Sequence, residues 1–292
     1  MKEIVIISGK GGTGKTSVSG SLAVLATNKV MADCDVDAAD LHLILDPTVL
    51  EAHKFISGHE AVINPELCDS CGICADFCRF DAIEKLQDSY AVKAIGCEGC
   101  KVCVEVCPLS AIDFPSCHSG DWYSSITEYG PMLHARLKAG AENSGRLVTE
   151  VRTQAKIRAQ DTDASWIIID GPPGVGCPVI ASITGVDMAL IVTEPTLSGK
   201  HDLDRVLTLT KHFAIPALVV INKWDLNIEL SAEIEALAAL YSAKVVGKLI
   251  YSPLFNQAQI AGLPVVKYAP ESQESIELSA IWEKIKTATG EN

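Results

Sequence analysis

The sequence predicts an α/β protein built on a doubly wound, mostly parallel sheet, with a small cysteine-rich module set into it. Three observations predict this. Apolar runs of strand length alternate with helical stretches along most of the chain. A loop rich in glycine and lysine joins the first such run to the first helix. Between about residues 59 and 116 the alternation stops, and eight of the 11 cysteines fall there.

The predicted strands are 4–7, 166–169, 188–192, 217–221 and 245–250, with a shorter one at 30–32 ahead of an acidic cluster. They are apolar throughout, as strands covered on both faces are. Helices are expected at 16–28, 144–159, 179–184, 200–212 and 228–241, an order that implies parallel crossovers. Segments 134–137 and 142–147 are expected to lead into the second of these, with Asn143 or Ser144 as its cap. Near the end, Leu278, Ile281, Trp282 and Ile285 recur at helical spacing and predict a helix docked on the core. The 292 residues are 48% hydrophobic but only 5% aromatic, enough for one large aliphatic core plus a small appended unit.

The formal net charge is −13, so phosphate surfaces repel the chain; neither nucleic acid nor membrane is expected as a partner. No apolar run reaches membrane-spanning length. The apolar start, residues 1–8, is too short for a signal peptide and runs into the glycine loop, so it reads as a strand. A cytoplasmic location follows as an expectation. In that reducing compartment, cysteines in such number are expected as metal ligands rather than disulfides.

Gly9-Lys10-Gly11-Gly12-Thr13-Gly14-Lys15-Thr16 fits G-x-x-x-x-G-K-[ST], between a strand and a helix. The glycines let backbone N–H groups turn inward around phosphate oxygens. Lys15 would bridge the terminal phosphates, Thr16 would hold Mg²⁺, and Ser17 continues the cradle into the helix.

Lys10 is a second lysine inside this loop. With it the sequence resembles the deviant Walker A family: MinD, ParA, the nitrogenase Fe protein and the Mrp-type cluster carriers. The resemblance covers the chain outside the cysteine-rich interval. It implies a P-loop ATPase that closes into a homodimer on ATP, with Lys10 reaching the partner's nucleotide and acting as an arginine finger does. It implies roles for Asp33-Cys34-Asp35-Val36-Asp37 as switch I: Asp35 orients the attacking water and Asp33 stands behind Mg²⁺, while Asp37 and Asp40 are weaker candidates. Asp170-Gly171-Pro172-Pro173-Gly174 resembles Walker B joined to switch II, with Asp170 holding a water on Mg²⁺ and the Gly174 N–H sensing the terminal phosphate. Asn222-Lys223-Trp224-Asp225 matches the guanine-reading N-K-x-D, yet the relatives bind adenine with an asparagine here. The deviant lysine points to ATP, with GTP the rival.

Cys68, Cys71, Cys74 and Cys78 recur, shifted by 29 residues, as Cys97, Cys100, Cys103 and Cys107, followed by Pro108. Both runs have the bacterial ferredoxin spacing, in which three close cysteines wrap one cubane and the fourth ligates the other. Two [4Fe–4S] clusters are expected: one on Cys68, Cys71, Cys74 and Cys107, the other on Cys97, Cys100, Cys103 and Cys78. Structural zinc usually takes two C-x₂-C pairs rather than two runs of four. Arg79 stands where the first run would have proline. The expected domains are 1–58 and 117–292 for the ATPase and 59–116 for the ferredoxin-like insert. Cys34 and Cys117 read as small buried hydrophobes. Cys177, seven residues past Asp170, matches the offset of a ligand to the cluster shared between subunits in the nitrogenase Fe protein, and is a candidate third metal site completed by Cys34, Cys117 or an outside ligand.

The expected function is nucleotide-driven dimer closure coupled to electron transfer through the clusters, toward an unknown redox or cluster-accepting protein. The alternatives are a cluster or metal carrier of the Mrp type, and a spatial organiser of the MinD/ParA class with redox-sensing clusters.

Overall fold

The computed structural model describes residues 1–138, 140–141 and 144–290, so Asn143, one of the two expected helix caps, lies outside the described residues. The chain begins with β1 (Lys2–Ser8), α1 (Lys15–Leu25), β2 (Lys29–Asp33) and α2 (His42–Leu45). It continues through β3 (Thr48–His59), β4 (Val62–Ile63), α3 (Ile73–Asp76), β5 (Ile83–Lys85), β6 (Tyr90–Val92), α4 (Val102–Val106), β7 (Ile112–Asp113), β8 (Ser116–Thr127) and β9 (Gly130–Leu137). Then come α5 (Ser144–Asp161), β10 (Trp166–Pro173), α6 (Cys177–Ile183), β11 (Met188–Thr193), α7 (Leu197–His212), β12 (Ala217–Asn222) and α8 (Ile228–Leu240). β13 (Lys244–Leu249), α9 (Leu254–Ile260), α10 (Val265–Tyr268) and α11 (Gln273–Thr289) close the chain.

Two compact units result. The first comprises Met1–Ala52, Trp122–Arg136 and Ser144–Asn292; the second comprises His53–Asp121 and Leu137–Asn143. The second is wider than the interval 59–116 that the cysteines mark, because residues of β3 and β8 before and after that interval belong to it.

The main sheet runs in the order β13-β12-β11-β1-β10-β2-β9-β8-β3. β1 pairs in parallel with β10 and β11, and the parallel ladder extends outward through β2, β12 and β13. These are the six strands the apolar runs predict. Alternate residues point to opposite faces. Ile4, Ile6, Met31, Ile168, Leu190 and Val220 therefore pack with Val18 and Leu22 of α1 and with Leu278, Ile281 and Trp282 of α11. Burying each such side chain contributes about 1.5–3 kcal/mol. Trp166 and Trp282 meet edge to face with centroids 5.0 Å apart, which fixes α11 on the core as its spacing implies. α5 and α6 pack on each other and on β10. Arg152 of α5 is buried there, but its charge is met: Nη2 donates to Glu3 Oε1 at 2.7 Å and Nη1 to the carbonyls of Ala181 and Thr184 at 2.6 and 3.0 Å. No helix among the described residues is long and apolar enough to cross a membrane.

β3, β8 and β9 carry no apolar run and were not expected. β3 is mostly exposed, and β8 reads Ser-Cys-His-Ser-Gly-Asp-Trp-Tyr-Ser-Ser-Ile-Thr. Segment 134–137, expected to lead into a helix, ends β9 instead, because β9 pairs in parallel with β2, His134 opposite Asp33. His134 stacks on Tyr123 at 5.0 Å, and its Nε2 meets Ser125 Oγ at 2.8 Å. Burial, with His42 adding to it, lowers its pKa from the ordinary 6.5 to about 4. Because the folded value is lowered, the unfolded chain takes this proton first as pH falls. Stability is therefore lost from pH 6.5 down to about 4, by up to about 3 kcal/mol. Urea unfolding of parent and His134→Gln across that range should show the variant keeping more of its neutral-pH stability; parallel curves would remove His134 as the cause.

In the second unit the sequence repeat is also a backbone repeat. Ser70 and Gly99 have φ 61° and 60°, Gly72 and Lys101 have 80° and 68°, and Asp81 and Ser110 have 49° and 50°, each pair 29 residues apart. The strands interlock: β4 pairs antiparallel with β7 and β5 with β6, so each two-stranded sheet joins the first strand of one repeat to the second strand of the other. Ala61, Cys74 and Ile112 form its small core with Ile63, Tyr90 and Phe114 around them.

Candidate functional site

In the first unit a cleft opens where β1, β2, β10 and β12 end. It is lined by residues 11–17, Asp35, Asp40, Asn222 and Lys223, and on the far side by Tyr251, Phe255, Asn256 and Gln259. The loop after β1 needs its glycines. Gly14 has φ 91°, and a Cβ there would stand 2.3 Å from Asn222 Nδ2. That space lets Asn222 approach, and Nδ2 donates to the Thr13 carbonyl at 2.8 Å while Oδ1 accepts from Lys223 N at 3.0 Å. Asn222 thus braces the phosphate loop while it lines the cleft. Asp225 accepts from Tyr251 N at 2.7 Å through Oδ1.

Lys15 opens α1 and is buried. Its Nζ donates to Asp170 Oδ1 at 2.9 Å and lies 3.3 Å from Asp35 Oδ2. Burial alone would lower its pKa, but the carboxylates of Asp170, Asp35 and Asp33 outweigh it and raise it to about 12. The same burial and the neighbouring Asp170 raise Asp33 well above the carboxylate range, and burial raises Asp35. Ser19, which the sequence did not single out, donates to Asp170 Oδ1 at 2.8 Å.

Asp33 Oδ2, Asp170 Oδ2 and Thr13 Oγ1 are buried without a hydrogen-bond partner. Buried polar atoms rarely stay unmatched. Two carboxyl oxygens and a hydroxyl beside a glycine cradle and a buried lysine fit a magnesium-bound nucleotide, with Thr16, Asp33 and Asp170 on the metal side. Gly174 departs from expectation. β10 runs beside β1 to Pro173, and the next N–H, that of Gly174, continues the ladder to Ser8 O at 2.8 Å rather than facing the cleft.

Lys10 turns away from the cleft. Its Nζ lies 2.7 Å from Glu194 Oε1 and donates to Ser198 Oγ at 3.0 Å and Thr196 Oγ1 at 3.2 Å. Glu194 holds Lys223 Nζ with its other oxygen at 3.0 Å. Burial would raise the Glu194 pKa, but hydrogen bonds from Lys10 and Lys223 lower it. Gly9 lets α7 come close, since a Cβ there would meet Asp202 Cβ at 2.3 Å.

The second unit has two cavities of its own. One is lined by Cys68, Cys71, Cys74 and Cys107 with Ile63, Tyr90, Leu109 and Ile112. The other is lined by Cys97, Cys100, Cys103 and Cys78 with Phe77, Phe80, Val92 and Phe114. Each takes three cysteines from one repeat and one from the other. Burial raises the thiol pKa of Cys74 and of Cys103, and the neighbouring cysteines of the same run add to it. Among the described residues no three His, Cys, Asp or Glu side chains stand at the spacing of a single metal ion. A cubane spreads its four thiolates over four irons, so an apolar chamber ringed by four cysteines suits it better than one ion.

The remaining cysteines separate. Cys177 is exposed at the start of α6. Cys34 is fully buried, and burial followed by Asp33 pushes its thiol up. Cys117 donates to Ser57 O at 3.0 Å.

The profile of the CobQ/CobB/MinD/ParA nucleotide-binding domain matches residues 4–265. The chain belongs to this family. Like the CobQ/CobB/MinD/ParA domains it is a P-loop α/β protein with a mostly parallel sheet. It is 39% identical over 228 residues to an uncharacterised protein of Methanocaldococcus jannaschii, covering 77% of this chain and 79% of that one. An uncharacterised ATP-binding protein of the same organism is 23% identical over 273 residues, covering 92% and 81%. Among solved structures, the septum site-determining protein MinD of Pyrococcus horikoshii, complexed with Mg-ADP, superposes with a TM-score of 0.61 at 21% identity, covering 99% of this chain and 97% of that one. In this family member, sequence reasoning missed the Glu194 clamp, Lys223 and Ser19. Glu194 directly follows β11, ahead of Pro195, and nothing local marks it as a partner of Lys10.

Proposed function

We propose that this family member binds and hydrolyses ATP with Mg²⁺, carries two [4Fe–4S] clusters in a ferredoxin-like module spanning about residues 59–116, and couples ATP-driven homodimer closure to electron transfer. The pair of four-cysteine cavities carries the reading. An organiser that only cycled nucleotide would need neither of them. The ATP part rests on the family, on the magnesium-side oxygens of Asp33 and Asp170, and on relatives described as ATP-binding and as complexed with Mg-ADP. Lys10, Lys15 and Asp35 are the proposed catalytic groups. Cys177 stays a proposed surface ligand.

Anaerobic purification of the full chain tests it. About eight irons per chain are expected, as two cubanes require. Cys100→Ser should lose about half of them, while circular dichroism and ATP binding stay as in the parent. Stoichiometric zinc in a colourless protein would overturn the cluster reading. Two alternatives have one observation each. Exposure of Cys71 and Cys100 favours a cluster carrier, which predicts cluster transfer to an apo-acceptor. Likeness to MinD favours a spatial organiser, which predicts ATP-dependent binding to liposomes or DNA.

A further inference from the structure

We infer that the two cysteine-lined chambers give their clusters unequal potentials, and that the one ringed by Cys78, Cys97, Cys100 and Cys103 is reduced first. The inference rests on the cluster reading above. It comes from comparing the repeats position by position. Their backbones match at the three left-handed pairs, so side chains rather than chain path distinguish the two environments.

Three differing positions that stand directly after a cluster cysteine carry a polar or charged group. The first is Lys101, whose equivalent is Gly72. Lys101 lines the second chamber. It holds φ 68°, a left-handed conformation that strains a residue with a Cβ. Glycine stands at the equivalent place, where a Cβ would lie 2.8 Å from Tyr90 Oη. A strained lysine at the wall of a chamber points to a role for its charge. Lys101 does pair with Glu105 at 2.6 Å, but both are half exposed, which screens the pair. Glu105 also has an acidic equivalent in Asp76, so the carboxylate is common to both repeats and the ammonium is not.

The second position is Arg79, directly after Cys78, whose equivalent is Pro108 after Cys107. Each follows the cysteine that crosses to the other repeat's chamber, so the arginine accompanies the second chamber and the proline the first. The third is Asp69. It lines the first chamber, and its Oδ1 accepts the Cys71 N–H at 3.1 Å. Its equivalent, Glu98, lines the second chamber, so acidic charge there is matched. However, the Asp69 bond withdraws one backbone donor from the thiolates of the first chamber.

Reduction adds one electron and one negative charge to a cluster, from 2+ to 1+, with no bond broken. Cations and N–H donors near the sulfurs favour that added charge, and anions oppose it. Lys101 adds a positive charge at the wall of the second chamber, and Arg79 adds another beside Cys78, offset by Asp81, which stands where the second repeat has Ser110.

The test is an anaerobic titration of the iron-loaded full chain with dithionite in the presence of mediator dyes, read by EPR and by visible absorbance. Two one-electron waves are expected, separated enough that one cluster is more than tenfold reduced at the midpoint of the other, at least about 59 mV. Lys101→Gly, which also relieves backbone strain, and Arg79→Ala should each lower the higher wave and leave the lower one in place. Asp69→Asn, which keeps the acceptor, should raise the lower wave alone. Eight irons with a single wave, or two waves that none of these variants moves selectively, would overturn the inference and leave the cluster reading standing. A chain without iron would instead overturn the cluster reading itself.

Discussion

Replacing Lys15 by alanine should abolish turnover and weaken nucleotide binding, with the loss in hydrolysis at least about 100-fold, the scale of removing one preorganised charge donor. Lys15 is buried among Asp33, Asp35 and Asp170 and is held protonated by them. In the family's fold such a lysine meets phosphate, so its loss removes a contact to the transferred group. It also leaves three neighbouring carboxylates without a counter-charge, a cost of several kcal/mol unless they take protons. Two readouts follow. Isothermal titration with Mg-ATP should show a large loss of affinity for Lys15→Ala. Its nucleotide-free melting temperature should fall at neutral pH and recover part of the loss as pH is lowered, because protonated carboxylates no longer need the ammonium. Retention of parent-like ATP binding by Lys15→Ala would remove the cleft as the nucleotide site.

How much of this was legible depended on whether the deciding contact was local. The phosphate loop was readable because Gly12 and Gly14 must take positive φ whatever packs on them. The parallel strands were readable because burial on both faces forces runs such as Lys2–Ser8 and Met188–Thr193 to be apolar. The grouping of cysteines was readable from spacing, since the three close cysteines of each run line one chamber and the fourth is carried to the other. β3 was not readable because solvent along most of it leaves a mixed pattern, and β8 because its buried positions, such as Ser119, Ser124, Ser125 and Thr127, are polar rather than an apolar run. The partners of Gly174 and Asn222 were set by distant strands meeting at the sheet's end: Ser8 O takes the Gly174 N–H, and Thr13 O takes the Asn222 amide. A motif fixes which residues reach a site, but not which of their atoms remain free once neighbours have been satisfied.

The same limit governs Lys10, and the expected result there is a pair of opposite phenotypes. Lys10→Ala should keep ATP binding in the monomer and lose ATP-dependent dimerisation, with turnover down by about 10³-fold, the lower scale for a finger supplied in trans. Glu194→Gln should act in the other direction. In the single chain Lys10 is held by Glu194 at 2.7 Å and by Ser198 and Thr196 at 3.0 and 3.2 Å. To reach a partner's nucleotide it must leave that clamp, and a partly buried charged hydrogen bond of this kind is worth about 1.5–3 kcal/mol. Glutamine keeps the shape and removes the charge that holds Lys10. Dimer formation with a non-hydrolysable ATP analogue should then occur at roughly tenfold lower protein concentration, since 1.4 kcal/mol is a factor of ten. Lys223 shares Glu194 and touches Gly12 O at 3.3 Å, so a loosened phosphate loop is the competing effect. Lys223→Met separates the two: it breaks the second half of the clamp without freeing Lys10. Sedimentation velocity with and without the analogue reads all three variants. If Glu194→Gln dimerises no more readily than the parent while Lys223→Met matches it, the clamp is a brace for the loop and does not restrain Lys10.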